Sequence, residues 1–393
     1  MSIFTCWRVL PAALFVLSHL LFPQASFAAE KALNILYTGA MRGELEPCGC
    51  SPETQSGGLA RLSGFISDQK AALGPYILVD SGNTFAPDTA QGRLKAEAQL
   101  RSLGMMGYDA VAVHISKAPF DSGFTARLVK EHRVATLPKR GAIKALKGGL
   151  KVNISSDARL LKKGMINVLI SGKPVGELKA VKGWDVVITS SGEVLEEPVR
   201  SGRTTIVSGY PKAEKLGILT LKLDRRGKVA GSANRWVVLK KDAPEDPAVR
   251  AVLKEYDLKV AALLKEEELK PVSGGLYLGA QSCVECHEPH VQSWKATKHA
   301  LAFATLERAG KSKDPECVVC HTVGFGEEGG FLSLKSTPEL ANVQCESCHG
   351  AGREHSVDFG PMRVMGKEIC LKCHTHENSP LFDYEKYLEK IKH

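Results

Sequence analysis

The chain has 393 residues, with 52 Lys and Arg against 43 Asp and Glu, a formal net charge of +9. No basic helix or aromatic–basic interleaving accompanies that excess, which argues against a nucleic-acid partner. The charge is uneven: from Gly275 onward there are 13 basic against 16 acidic residues, so the first 274 residues hold all of the positive excess. That excess reads as a solvated basic surface or as a docking face for an acidic partner, the C-terminal part of the chain being one candidate.

Residues 1–28 have the pattern of a secretory signal. Arg8 supplies the basic start, Val9 to Phe22 the apolar run, and Ser26-Phe27-Ala28 a small-x-small cleavage site. The run is short and bordered by Pro11 and Pro23, so an uncleaved anchor is the weaker alternative. No later stretch approaches the roughly 18 consecutive apolar residues of a membrane span. A periplasmic or otherwise exported protein, with no integral membrane span after cleavage, is expected.

Residues 31–240 alternate short β-rich runs with helical or turn segments. The predicted strands are Leu33–Tyr37, Tyr76–Val79, Ala110–Val113, Asn167–Ile170, Asp185–Thr189, Thr204–Val207 and Leu216–Leu223. Several are continuous aliphatic runs, as buried strands of α/β folds are. Cys48 and Cys50 lie just beyond the first strand in a Pro- and Gly-rich loop. They read as an inert or locally bridged pair, a thiol redox site or a soft-metal pair. Asp246-Pro247 then predicts an N-cap and first helical position. Val249, Val252, Leu253, Tyr256, Val260, Leu263 and Leu264 recur at helical spacing to about Leu269, as an amphipathic helix would within a connector over 241–274. Pro271, Gly274 and Gly275 end it.

The last 119 residues carry the strongest signal. Cys283-Val-Glu-Cys286-His287, Cys317-Val-Val-Cys320-His321, Cys345-Glu-Ser-Cys348-His349 and Cys370-Leu-Lys-Cys373-His374 fall within 92 residues. Cys-x-x-Cys-His is the attachment signature of c-type haem: two thiols bind the vinyl groups and the histidine ligates iron. Zinc ribbons also use Cys-x-x-Cys, but do not require a histidine after every pair. Four covalently attached haem c groups are therefore expected. The eight motif cysteines and Cys6 account for all but Cys48 and Cys50 of the 11 cysteines, which leaves no disulfide framework. So dense a set of haems implies little aliphatic core and a region that depends on haem to fold.

The proximal ligands are then His287, His321, His349 and His374. His393, ending a helix-like tail from Tyr384, could fold back onto a third haem. His290 and His376 follow their proximal histidines too closely to ligate the same haem. Met362 and Met365 are possible axial ligands, although methionine near haem more often packs against it.

The C-terminal part, from about Tyr277 to His393, resembles the tetrahaem cytochrome c family typified by the nitrifier electron carrier cytochrome c five-fifty-four. Gly279-Ala-Gln-Ser-Cys283, Trp294 with His299, Gly324-Phe325-Gly326 and the run Cys345 to His355 carry the likeness. The resemblance implies His299 and His355 as distal ligands and one five-coordinate haem. The haem of Cys317, Cys320 and His321 is the candidate, beside a loop expected to be flexible at Gly324, Gly326, Gly329 and Gly330.

The N-terminal part resembles the metallophosphoesterase domain of the 5'-nucleotidase family. The matching stretches are Ile35–Thr38, Gly43–Leu45, Gly57–Arg61, Leu78–Gly82, Gly107–Val111, Phe120–Gly123 and Val194–Pro198. The resemblance implies a two-sheet αββα sandwich, here reduced in length, followed by a mostly helical and loop multihaem domain. It also implies a two-metal site built from Asp-x-His, Gly-Asp, Asn-His and Gly-His-x-His. Those positions read Ala40-Met41-Arg42, Gly82-Asn83, Lys117-Ala118 and Thr189-Ser190-Ser191-Gly192. Without a bridging carboxylate and imidazoles, two cations cannot be held, so no dinuclear site and no phosphatase activity are expected. The organisation is a signal over 1–28, a degenerate metallophosphoesterase-like domain over 31–240, a connector over 241–274 and a tetrahaem domain over 275–393. The leading reading is an exported electron carrier that meets periplasmic redox partner proteins. The alternative is an oxidoreductase acting on a small nitrogen or oxygen species at one open haem, with Glu327, Glu328 and Arg353 as candidate acid–base groups.

Overall fold

The computed structural model describes residues 31–47, 55–114, 119–264, 274–362, 366–376 and 378–392. The signal segment, Cys48, Cys50, Lys117, Ala118, Met365 and His393 lie outside them.

Strand β1 (Ala32–Thr38) is buried on both sides, which is why it reads as a nearly unbroken apolar run. Alternation still sorts its side chains. Leu33, Ile35 and Tyr37 face a core between two sheets, and Leu36 faces a core beneath helices. Around β1 the first sheet runs β11-β10-β1-β2-β3, with β2 Tyr76–Asp80, β3 Ala110–Val111, β10 Lys215–Leu223 and β11 Val229–Val238. β1 pairs parallel with β2 and antiparallel with β10, so Ile35 stands between Ile77 and Leu219. The second sheet runs β4-β5-β6-β7-β9-β8, from Ala142–Lys147, Leu150–Ser155, Ile166–Ser171, Val186–Thr189, Thr204–Ser208 and Val199–Ser201 respectively.

Helices α1 (Leu59–Gln69), α2 (Ala90–Met106), α3 (Ser122–Glu131) and α5 (Pro247–Ala261) cover the outer face of the first sheet. Short α4 (Val175–Leu178) and Trp184 cover the second. The result is the αββα layering that the resemblance implied. Helix α5 forms where Asp246 and Pro247 predict it: Asp246 caps the amides of Ala248 and Val249. The apolar face expected of a connector is buried against α1 and α2 through Val249, Val252, Leu253, Tyr256 and Val260.

The C-terminal part has α6 (Val284–Lys295), α7 (Ala302–Ala309), α8 (Pro315–His321), α9 (Cys345–His349), α10 (Arg353–Asp358), α11 (Lys367–Cys370) and α12 (Tyr384–Leu388). Its one apolar cluster among the described residues is small and surrounds α8: Phe303, Leu306, Val318, Val323, Phe331, Leu340 and Ala341. No helix among the described residues is long and apolar enough to cross a membrane.

Candidate haem site

Every motif lies on a helical turn. Cys317–His321 falls inside α8, Cys345–His349 forms α9, Cys283–His287 enters α6 and Cys370 closes α11. His374 N bonds Cys370 O at 2.8 Å, which extends that last turn through the histidine. Residues three apart on a helix share a face, so the two thiols of one motif project together.

Different motifs also meet. The Cys283 and Cys345 thiols lie side by side, as do those of Cys320 and Cys373. Cys348 lies within electrostatic reach of Cys345 and Cys370, and Cys373 within that of Cys348. The attachment turns therefore form one chain in the order first, third, fourth, second. None of the eight motif cysteines is tied up in a disulfide among the described residues.

The histidines are oriented by their Nδ1 atoms. His321 Nδ1 lies 2.7 Å from Ala302 O, and His355 Nδ1 lies 2.6 Å from Gly360 O. A carbonyl oxygen only accepts, so the proton is on Nδ1 and the Nε2 lone pair is left for a metal. His374 Nδ1 meets Ser379 Oγ at 3.1 Å. Three histidine ring pairs lie near one spacing: His287 with His290, whose centroids are 5.8 Å apart, and His287 with His355 and His299 with His374, each with centroids 6.1 Å apart. Two imidazole nitrogens each about 2.0 Å from one shared metal put their centroids roughly 6 Å apart. Burial first, then the neighbouring His374 and His321, holds His299 below the usual histidine range, so it is neutral. Neutral imidazole is the ligating form. A cavity of about 660 Å³ lies against His374 and His376, lined also by Leu371, Phe382 and Tyr384. Donor set, tautomers, ring spacing and cavity all fit haem.

One residue of the site was not singled out from sequence. Glu346, inside the third motif, is only 4% exposed. Its carboxylate accepts from Leu278 N at 3.0 Å, Gly279 N at 2.8 Å and Gly352 N at 2.7 Å. It thereby joins the approach to the first motif to the turn after the third. An acidic residue between the two cysteines, in a region short of apolar residues, was the available signal.

The glycine loop after the second motif is not a loose one. Val323 N bonds Leu340 O at 2.9 Å, Phe331 N bonds Val323 O at 2.8 Å and Gly330 N bonds Glu327 O at 3.1 Å. Glu327 is bonded by the Tyr277 hydroxyl, and Arg353 Nε donates to Gly275 O at 2.6 Å. Two of the three candidate acid–base side chains are thus engaged structurally.

Three of the four positions where the resemblance puts metal ligands lie in tightly packed backbone, and the fourth, Lys117-Ala118, lies outside the described residues. Ala40 N bonds Gly82 O at 2.8 Å and Arg42 N bonds Asn83 O at 3.1 Å, tying the loops after β1 and β2 together. Ser190 Oγ donates to Ser81 O at 2.8 Å. A Cβ on Gly209 would lie 2.6 Å from Gly39 Cα, so these backbones are in direct contact. Arg42 reaches over Gly192, with Nη2 3.2 Å from where a Cβ there would stand. Among the described residues no group of three or more His, Cys, Asp or Glu is placed to hold a metal ion.

Asp80 persists at the bottom of this region, 1% exposed. It accepts from Thr38 Oγ1 at 2.9 Å, Gly82 N at 3.0 Å and Thr84 Oγ1 at 3.1 Å. Burial raises its carboxyl to about 6, with the three hydrogen bonds pulling the other way. The folded state therefore holds this proton more tightly than the unfolded chain. The stability contributed by this group should be full below about pH 4, fall as pH rises to about 6, and level off above it. Asp80→Asn should flatten that slope, worth on the order of 2–3 kcal/mol. Urea unfolding between pH 4 and 7 measures it, and an unchanged slope in the variant would count against Asp80 as its source.

Residues 282–350 match the family described as "Cytochrome c554 and c-prime". Over those residues the C-terminal region is similar to the cytochrome c554 family. It is 40% identical over 95 residues to cytochrome c-554 of Nitrosomonas europaea, a match covering 20% of this chain and 40% of that protein. The chain thus spans well under half of that relative. The N-terminal region is similar to the 5'-nucleotidase precursor from Thermus thermophilus, with a TM-score of 0.52 and 18% identity over 60% of each chain. It is also similar to the sulfate thiohydrolase SoxB of the same organism, solved in complex with glycerol. There the TM-score is 0.51 and the identity 16%, over 63% of this chain and 62% of that one. At these identities the likeness is one of fold. The chain thus joins a segment similar to cytochrome c-554 to a phosphoesterase-like fold.

Proposed function

We propose that this chain is an exported, periplasmic tetrahaem c-type cytochrome that relays electrons to and from redox partner proteins. The contiguous order of the four attachment turns carries the reading, because haems held there would lie close enough for transfer from one to the next. Bound haem c supplies the one-electron redox couple. The chain's residues do the rest. Cys283 and Cys286, Cys317 and Cys320, Cys345 and Cys348, and Cys370 and Cys373 fix each group covalently. His287, His321, His349 and His374 serve as proximal ligands. His355 is the partner of His287, and His299 that of His374, at the observed 6.1 Å ring spacing. His393 is proposed for a third haem. Backbone carbonyls hold His321 and His355 in the ligating tautomer. The N-terminal domain is proposed as an inactive phosphoesterase scaffold, since the loops of its metal site are closed on one another.

A pyridine haemochrome assay on purified holoprotein should return four haems per chain. A lower count would break the reading. Added Mn²⁺ or Zn²⁺ should elicit no phosphoester hydrolysis.

One observation favours a second reading, reaction of a small nitrogen or oxygen species at an open haem. His299 lies near both His321 and His374, yet its ring is paired with His374. The haem of His321 is therefore the candidate for an open sixth position. Rapid turnover of hydroxylamine, nitrite or NO by reduced protein would establish this reading over the carrier.

A further inference from the structure

Helix α8, which carries the second haem motif, is held from two sides. On one side Val318 is fully buried among Phe303, Leu306, Val323, Phe331 and Leu340, with Cys317 packed beside them. On the other side its first turn is held by the N-terminal domain. Its N-cap Asp314 accepts from Glu316 N at 3.1 Å and from Gln91 Nε2 at 2.7 Å. Glu316, next to Cys317, accepts from Lys95 Nζ at 2.6 Å. Just before the cap, Lys311 Nζ meets Asp257 of α5 at 2.5 Å. Gln91 also bonds the Tyr256 hydroxyl at 3.1 Å.

Lysine is almost never buried unless paired. Lys95 is 8% exposed, and its partner Glu316 belongs to the haem domain rather than to its own. The basic N-terminal domain thus spends a buried cation on the acidic first turn of one attachment helix.

We propose that Lys95 and Gln91 are positioning residues that make the N-terminal domain a clamp on the haem bound at Cys317 and Cys320, setting its reduction potential and the placement of His321. The proposal rests on the haem reading above. Its electrostatics have a definite sign. With Lys95 in place, the charge of Glu316 is matched beside the attachment cysteine. Without it, Glu316 is an unmatched anion there, which favours the more positive oxidised iron and lowers the potential. Gln91 acts through geometry: it holds the cap that starts α8, and α8 ends on His321, whose Nδ1 is fixed on Ala302 O.

The test uses full-length holoprotein in potentiometric titrations followed by absorbance and EPR. In Lys95→Met, one of the four potentials should move to a lower value while the other three stay. Lys95→Arg should restore it. Gln91→Ala, which leaves both charges, should alter the EPR signal of that same haem. Unmoved potentials in Lys95→Met would overturn the clamp, and so would an equal shift of all four. If Lys95→Met yields no holoprotein, Glu316→Gln decides: the same haem should move to a higher potential, and no movement overturns the proposal. A haemochrome count on each sample separates the two readings. Fewer than four haems in the unaltered protein would fail the haem reading, whereas four haems with unmoved potentials would fail the clamp alone.

Discussion

Glu346→Ala is expected to cost the cytochrome region most of its stability. The carboxylate is the shared acceptor for Leu278 N, Gly279 N and Gly352 N, and alanine leaves these amides unmet in a largely water-free place. An unsatisfied buried donor costs about 1–3 kcal/mol, so losing the acceptor of three should cost about 3–9 kcal/mol. That is comparable to the whole stability of a typical domain. Holoprotein yield and thermal unfolding followed at the haem absorbance would measure it, and a loss under about 1 kcal/mol would show that the cradle is not needed. Glu346→Gln keeps one accepting oxygen and should be milder. It also removes a buried negative charge beside Cys283 and Cys345, so the haems of the first and third motifs should become easier to reduce.

Removing His299 should change one haem from low-spin to high-spin. Its ring centroid lies 6.1 Å from that of His374, the pairing proposed above, so alanine should open the sixth position of that haem. The high-spin EPR signal should grow by one haem per chain, while the haemochrome count stays constant. His355→Ala should do the same for the haem of His287, and the double variant should add the two effects. Exogenous imidazole should reverse each change. If either single variant keeps the original spectrum, that pairing is wrong.

Much of this was legible in the chain, for reasons that can be stated. The aliphatic runs of β1, β2, β7, β9 and β10 are buried on both faces, and burial is what such runs report. The hairpin of β4 and β5 was passed over because its strands are rich in lysine. Yet Gly148 and Gly149 join them, both with positive φ, which is the ordinary two-residue hairpin signal. β11 was hidden for a related reason: it is a sheet edge with polar residues along its length. The haem motifs were plain because their chemistry is local. Lys95, Gln91 and Glu346 were not, because each acts on a residue far along the chain, and no short-range pattern encodes such a partner. The expectation of a region with little aliphatic core fits most of the C-terminal part, but α8 has a core of its own.

The contact between Gly39 and Gly209, together with the Ser190–Ser81 bond, bears on whether this fold could be given a dinuclear metal centre. A dinuclear centre gains affinity only when nearly all its ligands are present. Ala40 is 1% exposed and held at a φ of 54°, and Ser190 is 4% exposed, so new carboxylates and imidazoles would have to enter a filled interior. Each such insertion costs about 1–3 kcal/mol before any metal can repay it. Single substitutions toward such a centre should therefore each lower stability without giving hydrolysis, because the filled interior has to be opened for every ligand separately.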